Sequence, residues 1–239
     1  MRVLVACEES QAVTIELRKL GHEAYSCDLV PCTGGHPEWH IMGDALKVIN
    51  GNCLFGTQDD AIHEIKTKWD MIIAHPPCTY LTNGGAVRMF RKETKEFPPY
   101  GTFQMVNVER LKQGMLARDF FMAFMNADCD RIAIENPIPM SVYMIKPADQ
   151  VIQPYEYGDP YSKKTCLWLK GLPLLQPTDV LSEYQPFING GGGRMERANY
   201  KGKTFANGGC ARSKTFPGIA KAMAEQWGGK EVTNETERN

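Results

Sequence analysis

The sequence predicts an α/β fold: a doubly wound, mostly parallel sheet. Three observations predict it. Short apolar runs such as RVLVA at 2–6 and WDMIIA at 69–74 read as buried strands. Helical patterns stand between such runs. An acid or a thiol follows three of the strands, at Asp28, Cys78 and Glu135. In open α/β sheets the carboxyl ends of the strands form the ligand edge.

The elements follow in order. RVLVA opens as a strand, and residues 10–20 read as a helix with Val13, Ile15, Leu17 and Leu20 on its apolar side. Gly21 is a natural stop. EAYSCD is a second strand ending in Asp28, which completes a βαβ start. LVPCTGGHPEWH is a Gly- and Pro-rich loop, and a helix is expected at 44–50. Residues 69–74 form a strand that Pro76 and Pro77 cannot continue, because neither has a backbone donor. Residues 82–103 read as a long polar loop. Residues 107–127 read as a helix, with Val108, Leu111, Met115, Leu116, Phe120, Phe121 and Phe124 near one side. RIAIE at 131–135 is a strand and 138–160 is irregular. KKTCLWL at 163–169 is a strand with antiparallel pairing. Residues 215–227 are a helix entered at Pro217. The expected organisation is one domain over 1–227, with an irregular insert near 178–212 and a disordered tail at 228–239.

The totals narrow the function. The chain has 239 residues and a formal net charge of −1, so no overall basic excess marks a nucleic-acid binder, although a local basic cleft fits inside a neutral total. No apolar run reaches the ~18 residues of a membrane helix, and the first residues lack a signal-peptide pattern. The expected location is cytoplasmic, with no membrane and no obligate protein partner indicated. Eight scattered cysteines without a CxxC pair read as free thiols. Cys27, Cys32, His36 and His40 have the spacing C-x4-C-x3-H-x3-H, all zinc-ligand types. The stretch is short, so a structured loop is the preferred reading and no metal is assigned.

The chemistry concentrates at HPPC, 75–78, and ENP, 135–137. Two prolines hold Cys78 on a stiff corner at a strand end, which is how a reactive group is presented. An acid after the second strand, Asp28, suits two ribose hydroxyls. The first turn, CEESQAV, has no glycine, so a pyrophosphate fits poorly there and an adenosine without phosphates fits better.

A strand followed by HPPC, then a long helix, then a strand followed by ENP resembles the cytosine-5 DNA methyltransferase family. GDPYSKKTCLWLKGLP and TFPGIAKAMAEQWG look like segments of its short, phage-type members. The resemblance implies a class I, Rossmann-like fold, S-adenosyl-L-methionine as cofactor, and DNA, duplex or single-stranded, as partner. It implies that Cys78 is the nucleophile, Glu135 the partner of the cytosine ring nitrogen and Asn136 its orienter. It implies cofactor contacts from Cys7, Glu8, Asp28, Asp44 and Pro76, with Asp28 on the ribose and Asp44 on the adenine amine. Substrate contacts would come from Pro77, Tyr80, Lys164 and Thr165, and from Arg194 and Arg197 with Lys201 and Lys203 in the insert. Thiolate addition to carbon 6 would make carbon 5 nucleophilic. A Glu135 carboxyl with a pKa raised by burial would relieve the charge on the ring, and the base would be flipped to be reached.

The chain departs from the family where Thr79 and Tyr80 follow the cysteine and Pro137 follows Glu135-Asn136. It shows no clear arginine pair and little room for a target-recognition domain. Two other readings compete. An amino-methyltransferase carries an Asp/Asn-Pro-Pro-aromatic motif, which HPPC matches in its prolines, with Tyr80 able to stack on a base. A methyltransferase-like binding protein would account for the missing glycines.

Overall fold

The computed structural model describes residues 1–187, 199–200, 203–204 and 214–229. Arg194, Arg197, Lys201, Cys210 and most of the expected insert and tail lie outside the described residues. So does the Lys203 side chain.

Seven strands make the central sheet: β1 Arg2–Ala6, β2 Glu23–Asp28, β3 His40–Met42, β4 Met71–Ala74, β5 Ile132–Asn136, β6 Gln150–Ile152 and β7 Thr165–Lys170. Their spatial order is β6-β7-β5-β4-β1-β2-β3. Strands β1 to β5 pair in parallel, and β7 lies antiparallel to both β5 and β6. From β3 to β5 the order is that of a doubly wound sheet, and it reverses between β1 and β4. The crevice of such a sheet opens at that reversal, above Ala6 and Ala74, which are register partners.

The inner strands are apolar at nearly every position because both faces are covered. Leu4, Ala6, Ile72, Ala74, Ile132 and Ile134 belong to one core with Phe121 and Phe124 of helix α2, Val108–Met125. Val3, Val5, Met71, Ile73 and Ala133 belong to the other. There they meet Val13 and Leu17 of α1, Ala12–Lys19, and Ile219, Ala220 and Met223 of α3, Pro217–Met223. One alternating strand pattern therefore feeds two cores.

The structure corrects several expected elements. The helix expected at 44–50 is a single turn at Ala45–Lys47, capped by Asp44, whose carboxylate accepts from Leu46 N at 3.0 Å. A hairpin of Cys53–Gly56 with Ile62–Ile65 was not expected. It inserts Phe55 against Tyr25, with ring centroids 5.1 Å apart. The stretch expected to be irregular contains the edge strand β6. The stretch read as a long loop holds a turn at Asn83–Arg88 and then a hairpin of Phe90–Phe97 with Gly101–Val106. In α2 the buried side carries Arg110, Gly114, Phe121 and Phe124, whereas Val108, Met115 and Leu116 are exposed.

Candidate active site

The parallel register sets the geometry of the carboxyl edge. Ala74 pairs with Ile134, so the chain leaves β4 into His75-Pro76-Pro77-Cys78 beside Glu135 and Asn136 of β5. His75 N donates to Ala6 O at 2.9 Å, which carries the β1–β4 ladder one residue further. Asn136 Nδ2 donates to Pro76 O at 2.6 Å. Cys78 O accepts from Leu81 N and Thr82 N, closing a turn around the half-buried thiol. The two following loops are then laced together. Asn83 N donates to Ile138 O at 2.9 Å and Met140 N to Leu81 O at 2.8 Å. The HPPC and ENP segments, 57 residues apart in sequence by their cysteine and glutamate (135 − 78), are one structural unit.

Glu135 is half-buried, its side chain 14% exposed, and His75 Nδ1 donates to its Oε2 at 3.2 Å. Burial opposes ionisation, but the His75 hydrogen bond, the Lys163 charge and the His75 charge together outweigh it. Its pKa is held below the usual carboxylate value, which corrects the expectation that burial would raise it. Five buried side-chain polar atoms have no partner among the described residues, and His75 Nε2, Asn136 Oδ1 and Arg110 Nε are the three that lie around these turns. Such atoms are uncommon in folded proteins and call for an explanation.

Arg110 was missed by the sequence reading. It is buried, donates through Nη2 to Thr79 O at 2.9 Å, and lies 5.1 Å from the Tyr80 ring centre. Gly85 leaves it room, since a Cβ there would stand 2.5 Å from Nη2. The helix pattern marks only its burial, since Arg110, Gly114, Phe121 and Phe124 fall on one stripe, and gives no sign of its partner at Thr79.

Strand β7 runs antiparallel, so its first residues reach the same edge: Cys166 pairs with Asn136 and Leu167 with Glu135. Thr165 is buried, with Oγ1 donating to Lys163 O at 3.2 Å, and Lys164 is exposed. Lys163, rather than Lys164, acts on Glu135 electrostatically. Ser162, Lys163, Lys164, Gln153 and Pro186 line a cavity of about 330 Å³.

The other half of the edge carries the residues assigned to the cofactor. Cys7 follows β1 with a positive φ of 59°, and Gln11 has one of 58°. Both adopt the left-handed backbone that glycine usually supplies, at a cost of about 1–2 kcal/mol each. The tight first turn therefore forms without glycine. Burial pushes the Cys7 thiol pKa up, and the Asp28, Cys27 and Asp44 groups push it further. Cys7, Asp28 and Asp44 thus share one neighbourhood. Asp28 Oδ1 accepts from Val30 N at 3.2 Å, and Leu29 and Val30 are exposed beside it. Glu8 is different. Its buried carboxylate accepts from Val13 N at 2.6 Å and from Thr14 Oγ1 at 2.7 Å. It occupies the amino terminus of α1, where a bound phosphate would otherwise sit.

The four residues with zinc-ligand spacing do not form a cluster. His40 engages Ser26 through Nδ1 and Val30 O through Nε2, and His36 pairs with Glu38 and stacks on Trp39. Among the described residues no group of three or more His, Cys, Asp or Glu is placed to hold a metal ion, and no helix is long and apolar enough to cross a membrane.

No family model matches the chain, and no curated protein matches it. Among solved structures it is similar to a candidate DNA modification methyltransferase encoded within an Escherichia coli prophage, with 11% identity and a TM-score of 0.41. The match covers 75% of this chain and 51% of that one, so this chain spans about half the length of that protein.

Proposed function

We propose that the chain is an S-adenosyl-L-methionine-dependent DNA methyltransferase of the class I, Rossmann-like type, acting on carbon 5 of cytosine through Cys78. The observation that carries this reading is the laced pair of turns after β4 and β5. It brings a thiol, a half-buried carboxylate and an amide with an unpartnered oxygen to one edge of a doubly wound sheet.

The residues take complementary roles. The Cys78 thiolate adds to carbon 6 of the base. Asn136 is held through its Nδ2 by Pro76 O, which leaves Oδ1 to accept from the exocyclic amine. Glu135 meets ring nitrogen 3. Its pKa is lowered in the free protein, so it acts as a donor only after taking up a proton from solvent as the base binds, with His75 Nδ1 orienting it. The cofactor supplies an electrophilic methyl group. The chain fits a cofactor without phosphates because Glu8 fills the amino terminus of α1, while Asp28 and Asp44 remain at the edge with Cys7 and Pro76 between the two halves. Pro77, Tyr80 and Lys164 are exposed and would rim the side on which the base enters, with Thr165 buried behind them.

The amino-methyltransferase reading needs the oxygen of the first proline to grip an amine. Here Pro76 O already accepts from Asn136 Nδ2. His75, at the position of the motif's acid, is turned to Glu135.

The test is methyl transfer to duplex DNA containing 5-fluorocytosine, with the wild type and Cys78→Ala compared. The fluorine cannot leave as a proton does. A denaturation-resistant protein–DNA adduct that is lost in Cys78→Ala is the expected result. Transfer without an adduct, unaffected by Cys78→Ala, would move the assignment to amine methylation.

A further inference from the structure

The hairpin of Phe90–Phe97 and Gly101–Val106 stands apart from both cores. Every residue from 90 to 106 is exposed. They include Phe90, Phe97, Tyr100, Phe103, Met105 and Val106, with Tyr100 at the tip 79% exposed. A two-stranded ribbon is marginal in water unless something covers it, and clustered exposed apolar groups mark an interaction site.

The ribbon also carries a small positive excess. Arg91, Lys92 and Lys95 stand against Glu93 and Glu96, with Arg88 in the turn at its foot, in a chain whose total is −1. Pairing sorts part of it into two faces. Lys95 is opposite Phe103, and Glu96 is opposite Thr102. Successive side chains alternate, so Phe97 shares the Lys95–Phe103 face and Thr94 shares the Glu96 face. The Phe97 and Phe103 rings are 6.2 Å apart, and Lys95 Nζ lies 5.4 Å from the Phe97 ring centre. One face thus offers aromatic rings and a cation, while Glu96 points away from it.

The foot of the ribbon is fastened to the candidate active site. Asn107 N donates to Met89 O at 2.7 Å, and Asn107 Oδ1 caps α2 by accepting from Arg110 N at 3.2 Å. Arg110, in the same helical turn, holds Thr79 O beside Cys78.

We infer that this ribbon is the arm by which the protein grips duplex DNA, doing for the target strand what the chain has little room to do elsewhere. The inference rests on the proposed function for its partner. A two-stranded ribbon fits the major groove, where exposed rings can meet thymine methyl groups and base edges, and cations answer phosphates. An eight-residue strand at ~3.3 Å per residue reaches about 25 Å, enough to span a groove. Protein partners that add a strand prefer flat, uncharged edges, and these edges carry Arg and Lys.

The test is binding to a 30-base-pair duplex by fluorescence anisotropy across a salt series. It uses the wild type, an Arg91→Ala/Lys92→Ala/Lys95→Ala variant and a Phe97→Ala/Phe103→Ala variant. Thermal melting and S-adenosyl-L-methionine calorimetry serve as folding controls. The expected result is duplex affinity at least ~10-fold weaker in each variant, with cofactor affinity unchanged. The charge variant should also show a slope of log K against log salt shallower by about 2–3, at roughly 0.9 per phosphate contact. Wild-type binding with unchanged affinity and slope in both variants would overturn the arm and leave the proposed function standing. Tighter binding of single strands than of duplex would overturn the duplex assignment. A wild type that binds neither would overturn the arm and the proposed function together.

Discussion

The turn after β1 and the turn after β4 begin as equals. Each leaves an inner parallel strand at the same edge, and each presents a cysteine, Cys7 or Cys78. They end differently. The first turn is bent by two left-handed residues, and Glu8 is spent on the amino terminus of α1. Burial and nearby acids suppress ionisation of the Cys7 thiol. The second turn is stiffened by prolines and braced from outside by Arg110, and it borders three buried polar atoms without partners. The difference teaches that a strand-end cysteine is not enough. A turn that satisfies itself makes a wall for a ligand. A turn satisfied by its neighbours, with polar atoms left over, makes a place for chemistry.

The largest expected effect breaks that contrast directly. Cys78→Ala should lower methyl transfer by at least ~10³-fold if, as proposed, this thiol forms the covalent intermediate. Cys53→Ala, in the distant hairpin, should change it less than about 3-fold. A sharper form uses alkylation at pH 8 followed by mass spectrometry. Cys78 should be modified well before Cys7 and before Cys27, whose pKa burial and the neighbouring Asp28 push up to about 12. Equal labelling of Cys7 and Cys78 would erase the distinction between the turns.

Next in size is the brace. Arg110→Ala frees Thr79 O and uncovers the Tyr80 ring. Misplacing the turn by a fraction of an ångström should cost about 10–100-fold in kcat. Cofactor affinity should hold, because Cys7, Asp28 and Asp44 are set by other strands. Arg110→Lys should restore part of the loss. A drop in cofactor affinity equal to the drop in kcat would show that the two halves of the edge are not separable.

The parts of this arrangement that were legible in the sequence are those that local chemistry determines. Pro76 and Pro77 end a strand by losing donors, and the run around Ile72 is apolar because both sheet faces are covered. The parallel strands β1, β2, β4 and β5 and the antiparallel β7 therefore stand where the pattern put them. His75 and Arg110 were not legible, because each acts on a partner distant in sequence. His75 meets Glu135 60 residues on, and Arg110 reaches back 31 residues to Thr79. The hairpin at 90–106 was hidden for another reason. A ribbon exposed on all sides has no need of alternating hydrophobicity, so its period is absent. Gly114 shows the same limit within α2. Glycine in a helix usually reads as a weak point, and Gly→Ala there gains about 1 kcal/mol. At position 114 a Cβ would stand 1.8 Å from the Tyr143 hydroxyl. Gly114→Ala should instead destabilise by about 1–3 kcal/mol in urea unfolding, and a stabilised variant would mean that Tyr143 does not pack there.

The smallest effect compares two carboxylates of the same edge, and its value lies in the sign. Glu8 is buried and Glu135 is half-buried, so each loses hydration. Burial dominates at Glu8, despite the opposing His75 charge and the hydrogen bonds from Val13 and Thr14, and its pKa is raised. At Glu135 the same desolvation is outweighed by the His75 hydrogen bond, with the Lys163 and His75 charges, and its pKa is lowered. A lowered folded-state value stabilises above the unfolded-state pKa of about 4.3 and loses that stabilisation as pH falls through the folded value. A raised value does the reverse: its contribution is full below the unfolded pKa and is lost as pH rises through the folded one. In urea unfolding between pH 7 and pH 3, the stability of wild type relative to Glu135→Gln should therefore fall as acid is added, mostly below about pH 4.3. The stability of wild type relative to Glu8→Gln should rise over the same change. Differences that run in parallel would mean that His75 and Lys163 do not overcome burial at Glu135, and the turn after β4 would lose the charged carboxylate that sets it apart from the turn after β1.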